Sequence, residues 1–70
     1  MEKYTLIGVD SNAFSVMAYV QRALRKEKLN TLIPEYQQKA TALDYDYLIM
    51  ISLEYLDKAN EVLNKRQESV

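Results

Sequence analysis

Seventy residues with nine Lys and Arg against ten Asp and Glu carry a net charge of −1, and the chain holds neither cysteine nor histidine. A chain this short gains only roughly 3–5 kcal/mol from a single core, and without those two residue types disulfides and the usual zinc sites cannot supplement it. The near-neutral balance excludes a strong global field for nucleic acid or anionic lipid, which leaves a second subunit or close helix packing as the source of added stability.

Lys3 to Val9 carries Tyr4, Thr5, Ile7 and Val9, residue types that fit a pleated surface, and predicts one strand. A lone strand cannot close its own ladder. It either pairs with its copy in a second subunit or lies as extended chain on helices whose side chains, with water, satisfy its amides. Gly8 within it marks a bend or a close backbone approach. The opening residues lack the basic region and sustained apolar run of a secretory signal, so no export is expected.

Asp10-Ser11-Asn12 supplies capping oxygens for a first helix over about 13–27, whose core stripe is Ala13, Val16, Met17, Val20 and Leu24. Its other side gathers Arg22, Arg25 and Lys26, with Tyr19 beside them. Pro34 suits a first helical turn and Glu35 the positive end of the dipole, which predicts a short second helix over about 34–42 with Tyr36, Ala40 and Leu43 inward.

Asp44, as cap, and Asp46, in the first turn, open a third and longest helix to about Lys65. Tyr45, Leu48, Ile49, Ser52, Tyr55, Leu56, Ala59, Val62 and Leu63 form its broad inward face. Opposite, among Glu54, Asp57 and Glu61, stand Met50 and Leu53 with Tyr47 nearby, an added apolar row on the polar side. A helix apolar on both sides is usually covered by its own fold and by something else. Residues 1–65 therefore read as a single small helical domain and 66–70 as a frayed tail.

Familiar chemistry finds few residues here. Without histidine or cysteine no Ser-His-Asp or cysteine nucleophile site can form. Asp44 and Asp46 do not face each other across a cleft, and capping accounts for them. A calcium loop starting at Asp44 needs glycine where Ile49 stands and glutamate where Tyr55 stands. The single glycine cannot build a phosphate-cradling loop, and no cofactor or metal is expected. The longest apolar run, Tyr47 to Leu53, is far below the roughly 20 residues that cross a bilayer, so no membrane association is expected and a soluble, cytoplasmic protein is.

Strand, helix and helix in that order resemble the layout of ribbon-helix-helix DNA-binding dimers, whose paired strands read base edges. Ile7 and Val9 stand where that class presents polar side chains, and a third long helix is surplus to it. The stretches Gly8-Val9-Asp10-Ser11-Asn12-Ala13-Phe14-Ser15-Val16-Met17 and Asp44-Tyr45-Asp46-Tyr47-Leu48 resemble small bacterial or phage-type proteins of unassigned function. That likeness implies a bacterial, cytoplasmic setting and carries no activity or site residues with it.

The expected architecture is mainly α: one amino-terminal strand followed by three helices, the long third one central. The expected function is a non-enzymatic interaction module, a homodimer or a partner of another protein, working through Tyr47, Met50 and Leu53. The alternative is a dimeric DNA-binding protein that uses paired strands or the basic face with Tyr19, Arg22, Arg25 and Lys26.

Overall fold

The computed structural model describes residues 3–68, and within them the chain forms helices α1 (Ala13–Lys26), α2 (Ile33–Ala40) and α3 (Tyr45–Glu68), with a short 3₁₀ turn (Asn30–Leu32) before α2. The capping residues act as their types dictate. The Asn12 side chain accepts from the backbone N–H groups of Phe14 and Ser15, at 2.8 and 3.4 Å. Asp44 accepts from the N–H of Tyr47 at 3.0 Å while its carbonyl takes the first intrahelical bond, from Leu48.

α1 ends in a Schellman motif. The N–H of Leu29 bonds to the carbonyl of Leu24 at 2.7 Å, and that of Lys28 to Arg25 at 3.0 Å. This geometry places Lys28 at φ 63, a left-handed conformation that costs a non-glycine residue about 1 kcal/mol or more. Leu29 in return turns onto the core.

No strand forms among the described residues, and the expectation for Lys3–Val9 is corrected accordingly. The segment crosses the helices as extended chain and then turns back over Leu6 to Val9, where the Val9 N–H bonds to the Leu6 carbonyl at 3.1 Å. Gly8, at φ +83, occupies the third position of that turn, where a type II geometry demands positive φ. In place of a neighbouring strand stands one carboxamide. Asn60 of α3 accepts from the Tyr4 N–H at 2.7 Å and donates to the Tyr4 carbonyl at 2.9 Å, reproducing the paired bonds of a ladder with a side chain. The Tyr19 hydroxyl takes the next amide, that of Thr5, at 3.2 Å.

Two contacts fix how α1 and α3 run. At their starts the Tyr45 hydroxyl donates to the Ser11 carbonyl, and at their ends Arg66 bonds to Glu27 at 2.8 Å. The two helices are therefore parallel, and α2, which contacts both, returns the chain between them. Their common core comprises Val16, Val20, Ala23 and Leu24 of α1, Tyr36 and Ala40 of α2, and Leu48, Ile51, Tyr55, Leu56 and Ala59 of α3. Ser52 is fully buried among them, and its hydroxyl is satisfied by that of Tyr36 at 2.7 Å.

Four side chains depart from their expected stripes, among them Tyr45, which is 42% exposed at the start of α3, where its hydroxyl reaches the Ser11 carbonyl. Ala13 is exposed at the helix start, and Leu43, 71% exposed, lies beyond the end of α2, where the helical period no longer applies. Ile51 is buried because α3 is flanked on both sides, which widens its inward arc. α3 also continues past Lys65 to Glu68, and Arg66 belongs to it. Met1, Glu2, Ser69 and Val70 lie outside the described residues.

Candidate interaction surface

α3 turns Leu48, Ser52, Tyr55, Leu56, Ala59 and Leu63 inward, so its outer face is fixed by the helical period. On that outer face Met50 is 53% and Leu53 48% exposed, with Tyr47 half-buried at one margin. Asp46, Glu54, Asp57 and Glu61, all exposed, surround the two apolar side chains. The result is a small greasy centre with an anionic rim, the layout of a docking patch.

The basic set lies elsewhere. Arg22, Arg25 and Lys26 are exposed on the outer face of α1 and form no ion pair among the described residues. Tyr19 is not available to stack with them: its hydroxyl holds the Thr5 amide, and its ring meets that of Tyr4 edge-on at 6.4 Å between centroids. Both helices direct their buried residues into one core, so the cationic and anionic faces look away from each other.

Further apolar exposure, not anticipated from the periodicity, gathers near the start of α1. Ile7 is 90% and Phe14 84% exposed. Between the Ile7–Asp10 turn and α1 runs a groove of about 590 Å³ with Ser15, Ala18, Tyr19 and Arg22 along it. A second, smaller groove of about 230 Å³ lies where Ala13 and Met17 approach Leu43 and Tyr45. Phe14 sits opposite the core stripe of an amphipathic helix, and that anomaly, like the one at Met50, was open to detection from spacing.

The other polar concentration surrounds Tyr55, whose hydroxyl donates to Glu35 at 2.5 Å and whose ring lies 5.6 Å from the Lys39 ammonium and 5.9 Å from that of Lys58. Opposite charges here alternate around an aromatic ring, and the Tyr55–Glu35 hydrogen bond ties α3 to α2. Among the described residues no three carboxylates converge on a metal position, and no helix is long and apolar enough to cross a membrane.

Three tyrosines bind their protons more tightly than free tyrosine does. Tyr4 is pushed up to about 12, first by burial and then by donating to the Glu27 carboxylate. Burial also raises Tyr36, against the opposing effect of its bond to Ser52, and raises Tyr55, helped by Glu35. A raised folded-state value gives stability that is complete below the unfolded pKa and lost as pH climbs through the folded one. The fold is therefore expected to hold to about pH 10 and weaken from there toward about pH 12, with Tyr4→Phe shallowing the loss. Absorbance titration of phenolate alongside circular dichroism checks this; ionisation of all six tyrosines before any loss of helix contradicts it.

Comparison with protein-family models, with curated proteins and with solved structures returned no match to this chain.

Proposed function

We propose that this chain is a non-enzymatic, cytoplasmic interaction module that self-associates through the outer face of α3, with Met50 and Leu53 at the centre and Tyr47 at the margin. The observation that carries the reading is the half-exposure of two large apolar side chains on the side of α3 that its own fold leaves uncovered. Isolated exposed apolar residues are ordinary, but neighbours one helical turn apart, in the first half of the longest helix, make a contiguous patch.

The test is mass against concentration by sedimentation. The wild type is expected to associate, and Met50→Asp and Leu53→Asp each to return it to the monomer while far-UV circular dichroism stays unchanged. Unaltered mass in both variants would remove the surface from consideration.

A second reading rests on the exposed Arg22, Arg25 and Lys26, which can neutralise phosphates. Its strand-based form is withdrawn, because Tyr4 and Thr5 spend their backbone groups on Asn60 and Tyr19. DNA binding by the α1 face alone predicts retention on a duplex that falls steeply with salt and vanishes on charge reversal at Arg22 and Arg25.

A further inference from the structure

The α3 face is poorly suited to pair with itself. Laid antiparallel on its own copy about Met50 and Leu53, it sets Asp46 opposite Asp57 twice; laid parallel, it sets each carboxylate against its equivalent. The complementary surface is present on the same chain. On α1, Phe14, Ala18, Arg22 and Lys26 follow one another at intervals of four, all exposed. On α3, Leu53, Asp57 and Glu61 follow at the same interval, with Met50 just before them.

Residues four apart rise about 6 Å along a helix, so the two rows match when the helices lie parallel. Ala18, too small to obstruct, meets Leu53; Arg22 then meets Asp57, Lys26 meets Glu61, and Phe14 lies beside Met50. The groove between the Ile7 turn and α1 provides a recess along Ala18 for these apolar side chains. Reversing one helix about the Ala18–Leu53 contact places Phe14 against Asp57 and loses both ion pairs.

We propose, building on the α3 reading, that the occupant of this face is the α1 outer face of a second copy, docked parallel and head to tail. α1 and α3 are also parallel within the protomer, so each added copy keeps the helix direction of its predecessor. Such a heterologous contact does not pair off as a two-fold dimer, and assembly continues beyond the dimer to a ring or a filament.

Sedimentation of the full chain at rising concentration, with two charge-reversed variants, tests this. One variant, Arg22→Glu with Lys26→Glu, spoils the α1 face; the other, Asp57→Lys with Glu61→Lys, spoils the α3 face. All four positions are exposed, and circular dichroism verifies that helix is retained; Ala18→Glu offers a second route to spoiling α1. The wild type is expected to grow past the dimer and to associate roughly tenfold more weakly when salt is raised from low to high. Each variant alone stays monomeric, and all four substitutions in one chain restore growth. An equimolar mixture grows past the dimer as alternating copies, because the reversed α1 face of one variant also fits the reversed α3 face of the other.

A closed wild-type dimer overturns the proposal. So does an α1 variant that assembles normally while Leu53→Asp does not, an outcome that leaves the α3 surface standing with a different occupant. A wild type monomeric at every concentration removes both. Loss of duplex DNA retention in the α1 variant without any change of mass assigns the basic row to nucleic acid and overturns the proposal.

Discussion

Leu24→Ala is expected to leave most of the chain unfolded at 25 °C. Leu24 is 0% exposed, lies in the cluster shared by all three helices, and its carbonyl anchors the Schellman turn that ends α1. Truncating a buried leucine costs about 2–5 kcal/mol, the transfer of the lost methyl groups plus the cavity they leave. A single domain of this length has roughly 3–5 kcal/mol in total. The cost and the reserve are thus equal in size, and in a chain without cysteine no disulfide makes up the difference. Urea titration followed by circular dichroism should show the native baseline disappearing. Met50→Ala, on the outer face, is the control, expected to shift monomer stability by no more than about 0.5 kcal/mol. A cooperative transition in Leu24→Ala as late as that of wild type would mean that the core lies elsewhere.

The features legible in the sequence are those set by near neighbours. Asn12 and Asp44 cap α1 and α3 because a short side-chain oxygen reaches an amide two or three residues on, and such a relation depends on type and place alone. Alternate packing of Val16, Val20 and Leu24 follows from the helical period in the same way. What failed depends on partners far along the chain. Tyr4, Thr5, Ile7 and Val9 have strand propensity, yet the backbone of Tyr4 is satisfied by Asn60, separated from it by 56 positions. An asparagine on a helix surface gives no local sign that it will stand in for a strand. Ile51 fell outside the expected stripe for a related reason: the width of a buried arc depends on how many neighbours flank the helix. The surface row at Met50 and Leu53 was visible because it breaks the pattern, whereas Tyr19, with an equally suggestive position beside cations, is used inside the protomer.

The same long-range dependence governs the carboxyl end, where Arg66→Met is expected to destabilise by about 2–3 kcal/mol. Glu27 ends α1 almost fully buried, at the negative pole of the helix, where a carboxylate has unfavourable desolvation and an unfavourable dipole. Arg66 offsets both by donating from Nη2 to the two carboxylate oxygens, each at 2.8 Å, and the Tyr4 hydroxyl donates as well. Removing one partner of a fully buried pair costs roughly 3–5 kcal/mol, because the other is left buried and uncompensated. Arg66 is 55% exposed, so solvent screens its share and the lower range applies. Deleting the charge from both sides should therefore be milder than deleting it from one: Glu27→Leu with Arg66→Leu is expected to recover most of the loss. Tyr4→Phe, which leaves Arg66 in place, should cost about 1 kcal/mol. A double-mutant cycle by urea denaturation separates these contributions. Arg66→Met within about 0.5 kcal/mol of wild type, a surface-like result, would show that Tyr4 alone holds the Glu27 carboxylate and that the last turn of α3 is dispensable to the fold.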